Sequence, residues 1–395
     1  MLKKLVALFS ALMLICVFLV SCKGKPQGAS SVSPSQDSSL PHKDTSSQTA
    51  SGSIIDIKPE QEYHLKRNSF LSAAQNGDLF YCGATGGIYK QLADNKGISK
   101  IYSGSGYEFF SVDYFEEDKI CVGFKSDKLD SNYIIFNLKD KTVQNAVSGD
   151  EFKDLNIYSL IHYEGAVYFL ANPDRYNRYT LYKQTAEETR VLVSGVNEFF
   201  IWGENIFYNK GNEIHSLYLK REPALSELIC KPEYGYLSGF TIVGNMLLYS
   251  SETDTYFTNF LTGGYSKLPQ QLNVWTGTKA GKYAFFCGDG GGIYAFSLET
   301  GIVTNVSPYT AGSLESSGGY LYLSPAKEAD YPSVDKSFII KDGIYRFSIS
   351  ELIAQIEPEK DESADVSSSL SQSEITSSSP AVEEVEPIKP EKFGR

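Results

Sequence analysis

The chain repeats itself. Between about Ile54 and Ile356, a short apolar run closing on aromatic or aliphatic residues recurs seven times. The runs are Leu79-Phe80-Tyr81, Ile120-Cys121-Val122, Val167-Tyr168-Phe169, Ile206-Phe207-Tyr208, Leu247-Leu248-Tyr249, Ala284-Phe285-Phe286 and Leu321-Tyr322-Leu323, at spacings of 41, 47, 39, 41, 37 and 37 residues. A second column follows a polar turn: Ile88-Tyr89, Ile135-Phe136, Leu181-Tyr182, Leu217-Tyr218, Ile293-Tyr294 and Ile344-Tyr345, with Tyr256-Phe257 in the fifth unit. A unit this short cannot bury its own apolar faces, so it must stack on copies of itself. A period near 40 with several short strands per unit is the signature of a β-propeller blade. The 13% aromatic content, 33 glycines and only 3 methionines fit strands and turns better than a helical bundle.

The expected fold is therefore an all-β propeller, with seven blades and with six or eight left open by the irregular unit 119–165. Glu62-Tyr63-His64-Leu65 and Ser69-Phe70-Leu71-Ser72 precede Asn76-Gly77 as a last strand precedes its turn in the other units. These N-terminal strands are expected to complete the final blade and close the ring, which removes exposed sheet edges. Two glycine-rich phrases, Cys82 to Tyr89 and Cys287 to Tyr294, are near copies. Each runs from strand to strand rather than from strand to helix, so its glycines read as a hairpin turn and not as a phosphate cradle.

The two ends differ from the middle. Lys3 and Lys4 precede an apolar run from Leu5 to Leu19, the length of a signal-peptide core and short for a membrane span. It ends at Leu19-Val20-Ser21-Cys22, which looks like a lipoprotein cleavage box, so residues 1–21 are expected to be removed and Cys22 lipidated. Several acyl chains on one cysteine give stable anchoring where a single chain is marginal. Residues 22–53 then read as a Ser-rich tether; ten of residues 23–53 are serine, with no apolar periodicity. Residues 54–356 form the propeller, and 357–395 a disordered tail with ten acidic and four basic residues. The expected location is the bacterial cell membrane, lipid-anchored on the extracytoplasmic face.

The Gly-x-Leu-Tyr-Phe and Gly-Ile-Tyr phrases resemble bacterial lipoprotein propellers of unknown function, related to the low-density-lipoprotein-receptor type. The resemblance covers roughly residues 60–350 and rests on the repeat pattern. It implies an extracytoplasmic binding or scaffolding role and supplies no catalytic residues.

The residues themselves carry little chemistry. A net charge of −12 disfavours nucleic acid as a partner. His42, His64, His162 and His215 are dispersed, so no metal and no cofactor is expected. There is no Gly-x-Ser-x-Gly elbow. Cys82 and Cys121 are the one cysteine pair worth testing for a disulfide in an exported protein, although small buried residues in apolar strands are the simpler reading. Propeller loops share a face, and three are long: Lys125 to Asn132, Asn172 to Arg178 and Ser324 to Lys336. The second offers Asp174, Arg175, Tyr176 and Arg178, a mix of aromatic and guanidinium common at binding hot spots. The third offers Asp330, Tyr331 and Asp335. The expected function is a non-catalytic binding or scaffolding module for a protein, peptide or glycan. A cell-envelope hydrolase or lyase on the same scaffold is the alternative.

Overall fold

In a computed structural model of the protein the described residues are 65–357 and 391–393, except 84–85, 94–96, 105, 153–154, 221–225, 233–234 and 261–264. They form six antiparallel sheets and one helix of eight residues, Ile349–Ile356. The first sheet comprises Leu71–Ala73, Leu79–Gly83, Gly87–Gln91 and Ile98–Tyr102; the second Tyr107–Glu116, Lys119–Ser126, Asn132–Asn137 and Val143–Asn145. The third is eight-stranded and runs from Ser159–Tyr163 to Ser226–Cys230. It is double because one strand, Thr189–Trp202, serves as the fourth strand of one set and the first of the next. The fourth, fifth and sixth sheets begin at Gly239–Val243, Leu272–Ala280 and Leu314–Ser317 and again have four strands each.

Apart from Leu65–Lys66, every described strand pairs antiparallel with its sequence neighbour within a set, and the side chains alternate between two buried faces. In Tyr283–Gly288, all six residues are buried. Tyr283, Phe285 and Cys287 pack toward the sixth sheet, while Ala284 and Phe286 pack toward the fourth. The same division holds along the chain. Apolar clusters join the first sheet to the second, the second to the third, the two halves of the third, and so on to the sixth. One further cluster sets Phe70, Leu71, Tyr81 and Tyr89 of the first sheet against Tyr322 and Ile344 of the sixth.

The stretch Leu65–Ser72 shows where the first strands meet. The backbone of Leu65–Lys66 pairs with Trp202 and Ile201 of the third sheet. Arg67 donates from Nη1 to Trp275 O (2.9 Å) in the fifth sheet, and from Nη2 to Leu314 O (3.2 Å) and Glu315 Oε2 (2.9 Å) in the sixth. Asn68 donates to Ser159 Oγ at 3.1 Å, and Ser69 O accepts from Val112 N of the second sheet at 2.8 Å. Eight residues span at most roughly 27 Å. So short a segment thus touches strands of the second, third, fifth and sixth sheets. Each first strand has one edge without a neighbour in its own sheet, and the segment supplies partners to these edge groups.

One sequence expectation needs correction. The N-terminal strands do not complete the last sheet: Leu71–Ala73 is the first strand of the first sheet, paired with Leu79–Gly83. Leu65–Lys66 lies on Thr189–Trp202, and Glu62 to His64 fall outside the described residues. The fourth position of the sixth sheet is taken instead by Glu391–Phe393, opposite Ile344 to Arg346. The physical reason is that a period fixes spacing and not phase. The strand before each turn opens a new sheet rather than ending the old one, so the two aromatic columns are second and third strands. Cys82 and Cys121 are free, in line with the simpler reading of small residues in apolar strands. They face different interfaces, Cys82 toward the cluster between first and second sheets and Cys121 toward the cluster between second and third.

Candidate functional site

Antiparallel order places connections on two rims. First-to-second and third-to-fourth connections make one, here called the hairpin rim. Second-to-third connections and the passages between sheets make the other, the loop rim. All three long loops singled out in the sequence are second-to-third connections and lie on the loop rim. Among the described residues exposed aromatics gather on the loop rim, while exposed Val191 and Leu228 lie within strands. Tyr107, Tyr176, Tyr236 and Trp275 are exposed on the loop rim, whereas exposed Leu92, Ile98, Val143 and Ile302 stand at third-to-fourth turns. Among the described residues the one exposed aromatic at the hairpin rim, Tyr218, has its hydroxyl bonded to Glu204.

Asp174, Arg175, Tyr176 and Arg178 come together as a knuckle. Asp174 Oδ1 accepts from the backbone N–H of Tyr176 (2.7 Å) and of Arg178 (3.0 Å), while its Oδ2 binds the Arg178 guanidinium at 2.7 and 2.9 Å. The Arg178 hydrogen bonds hold the Asp174 carboxyl below its usual range. Tyr176 is 61% exposed, with the Arg175 and Arg178 guanidinium groups 4.6 and 5.0 Å from its ring centre. Asn172 and Asn177 adopt positive φ of 54° and 57°, a region that asparagine tolerates better than most residues. A planar ring is thus presented in one orientation, flanked by cations, on a turn tied by a single carboxylate.

The third loop behaves differently. Asp335 caps a short turn, accepting from Ser337 N at 2.9 Å and Ser337 Oγ at 2.8 Å. Asp330 ends another turn, its N–H donating to Lys327 O at 3.0 Å. Tyr331 folds inward, where burial beside Cys287 pushes its phenol up to about 12. These three residues shape a loop that packs down on the glycine turn of the fifth sheet, where Val334 meets Gly291. They belong to the sixth sheet, and the knuckle to the third.

Sequence reasoning missed Trp275. It stands in a bulge of Leu272–Ala280 between Asn273 and Thr278. Thr276 Oγ1 fills the bulge, donating to Asn273 O and accepting from Cys287 N, both at 2.8 Å. The indole lies over Gly239, where no side chain larger than hydrogen fits, and Nε1 donates to Ser238 O at 3.2 Å. Phe200 meets the ring edge-on at 6.5 Å, and Trp275 is 48% exposed. The available signal was that the chain has only two tryptophans, and the other, Trp202, is core.

Next to Phe200 on the same strand, Glu198 is buried at 5% exposure. Its N–H donates to Asn209 Oδ1 (2.8 Å), Asn209 Nδ2 reaches Oε1 at 3.4 Å, and Oε2 has no partner. Desolvation drives its pKa well above the ordinary carboxyl value, making it a weaker acid. His162 stacks on Phe115 at 3.8 Å. His215 bridges Glu213 (Nε2 to Oε2, 3.2 Å) and Ser226 (Nδ1 to Oγ, 3.4 Å). Among the described residues no group of three or more His, Cys, Asp or Glu is placed to hold a metal ion. Cys22 lies outside the described residues.

No family model and no curated protein matches the chain. Among solved structures, a Mycobacterium tuberculosis puromycin-hydrolyzing peptidase superposes with a TM-score of 0.50 at 12% identity. That match covers 73% of this chain and 52% of the peptidase, so the chain spans about half its length. The WD40 beta propeller domain of Doa1 matches with a TM-score of 0.43 at 13% identity, over 65% of this chain and 89% of that one. A nidogen/laminin complex gives 0.38 at 12% identity, over 62% and 92%. At these identities the likeness is one of fold alone, and propeller proteins stand among the structural neighbours.

Proposed function

We propose that the domain is a closed seven-bladed propeller which binds a protein, peptide or glycan with its loop rim, as a scaffolding module rather than an enzyme. The double third sheet counts as two blades in this reading. The cluster between the first and sixth sheets, together with Arg67 bridging to Glu315, supports closure. Anchoring completes the proposal: residues 1–21 are a signal, Cys22 carries lipid, 22–53 is a tether, 54–356 the propeller and 357–395 an acidic tail. This puts the domain on the extracytoplasmic face of a bacterial membrane.

The observation that carries the binding reading is the segregation of exposed aromatics. Tyr107, Tyr176, Tyr236 and Trp275 share one rim, and rigid aromatics beside guanidinium groups are what recognition surfaces use. In this reading Leu65–Ser72, bonded to strands of several sheets, occupies the axis and leaves the rim as the place for a ligand.

A photo-crosslinker at Tyr176 in intact membranes tests this. A discrete cross-linked partner, lost in a Tyr107→Ala/Trp275→Ala chain of unchanged melting temperature, is expected. Cross-links of equal yield from both rims would sink the reading. Cys22→Ser should abolish incorporation of radiolabelled palmitate; persistent incorporation would refute the anchor.

One observation favours the hydrolase alternative, the Ser226–His215–Glu213 chain. Its Ser226 Oγ to Nδ1 distance of 3.4 Å is long for a working general base, and the hydroxyl is shared with Tyr208. Covalent labelling of Ser226 by a fluorophosphonate would revive it; absence of labelling is expected.

A further inference from the structure

We propose that the outer edge of Ile344–Ser348 is a strand-acceptor site for a second copy of the chain, which fills it with its own Glu391–Phe393, so that two copies join by exchanging this strand.

The first observation is how the sixth sheet obtains its fourth strand. In every other set of four, the fourth strand follows the third after four to seven residues. A turn so short leaves a strand no partner but its own neighbour. In the sixth sheet the chain instead passes from Ser348 straight into the helix Ile349–Ile356, whose Leu352 is buried in the cluster between the fifth and sixth sheets. The residues that elsewhere form the turn are thus spent on a helix, and the edge is left to a strand from further along the chain. The backbone groups of such an edge are a template for an incoming strand. What pairs there is Phe393 with Ile344, Lys392 with Tyr345 and Glu391 with Arg346, after a connection of 33 residues, 358–390, that lies outside the described residues.

The second observation is the length of that connection. It starts at Glu357, whose carboxylate meets Lys282 of the fifth sheet at 2.7 Å, and ends at Glu391, opposite Arg346 of the adjoining sixth. Within one chain it need only pass between neighbouring sheets, which pack about 10 Å apart. A chain of 33 residues spans up to roughly 110 Å, so the same pairing is open to the edge of another copy. A linker of this length holds its strand at an effective concentration on the order of a millimolar at most. Copies brought to that density exchange the strand as readily as they keep it, and the hold to be broken is only three paired residues long. The second copy is the occupant that fits without any new contact, because it brings the very strand whose register is seen here. Reciprocal exchange fills both edges and closes a two-fold pair; one-way exchange would leave an edge open to a third copy.

The test uses the full chain with cysteines at one register pair, Tyr345→Cys and Lys392→Cys, and at a second, Arg346→Cys and Glu391→Cys, in case the first disturbs folding. Cys82, Cys121, Cys230 and Cys287 react slowly, because burial pushes their thiols up. A chain carrying both cysteines of a pair should close a disulfide within itself when dilute. Equal amounts of the two single variants, mixed and mildly oxidised, should give a covalent dimer in which mass spectrometry finds 345 joined to 392. Its yield should rise about tenfold for a tenfold rise in protein concentration below the millimolar range, as a bimolecular step requires. Lys392→Cys mixed with Ile302→Cys, an exposed position on the fifth sheet, measures chance collision. Closure within the double variant but no dimer from the mixed singles overturns the proposal, and so does a dimer yield no higher than the collision control. Failure of both double variants to close also overturns it, because the edge would then not be holding this strand at all.

Discussion

Arg67 and Glu315 stand 248 positions apart and meet at 2.9 Å, with side chains only 11 and 22% exposed. The arginine also binds two carbonyl oxygens, so one side chain ties the start of the domain to its fifth and sixth sheets. Truncating it leaves a half-buried carboxylate and two carbonyls without their donor. Arg67→Ala should cost about 2–3 kcal/mol, and Arg67→Lys should recover part of this, since an ammonium cannot reproduce the fork. Chemical denaturation of the two variants checks it; a midpoint unchanged by the alanine would contradict the role.

Glu198 makes stability depend on pH in a direction opposite to most carboxylates. Its folded-state pKa is raised above the unfolded value near 4.5. Below that value both states are protonated and the residue imposes no penalty. As pH rises above it, the unfolded chain ionises while the folded one stays neutral, so stability is lost, at up to about 1.4 kcal/mol per pH unit. Glu198→Gln should therefore be neutral near pH 4 and stabilising by pH 8. Melting curves at the two pH values decide; a gain that shrinks as pH rises would reverse the assignment.

Asp174 holds the Tyr176 knuckle by backbone and guanidinium bonds that are largely exposed. Asp174→Ala should then change global stability by less than about 1 kcal/mol. Trypsin should nevertheless cut after Arg175 and Arg178 several-fold faster, because local opening controls cleavage there. Identical digestion rates for the two proteins would show the knuckle is ordered by something else.

The glycine turn of the fifth sheet contains its own control. A methyl on Gly291, at φ +92°, would collide with Val334 and lie 2.8 Å from Thr310 Oγ1, whereas one on Gly290 meets nothing within 4 Å. Gly291→Ala should cost about 2 kcal/mol or more and Gly290→Ala well under 1 kcal/mol. Equal melting temperatures for the pair would argue that the loop above is loose.

The strands were legible because Ile88-Tyr89 and its counterparts repeat a two-faced pattern that survives in each unit, and Gly288 to Gly292 proved to be the expected turn. The phase was not legible. Leu71–Ala73 looks the same whether it ends one sheet or begins another, and only pairing with Tyr81 and Leu79 decides. Glu391–Phe393 sits in a segment whose composition gives no apolar signal, and a three-residue edge strand needs none. Among site residues, Asp174 to Arg178 could be read because loop chemistry is local. The inward packing of Tyr331 was not legible, because it depends on Cys287 and Asn273 of a different sheet. Trp275 depends on a bulge, and the partners that create it, Thr276 and Cys287, announce nothing in sequence.

The continuous strand Thr189–Trp202 has a mechanical consequence. It bends at Gly195, φ +84°, and shifts register between Val196 and Glu198, yet the chain is never released into a loop there. Its two halves are one covalent beam, so the sets of strands on either side cannot swing apart by unpacking alone. New termini cut into this beam should abolish folding, whereas termini introduced at Tyr236, in the exposed passage to the fourth sheet, should be tolerated. Any breathing of the assembly must be hinged elsewhere, and the short pairing of Glu391–Phe393 is where it would begin.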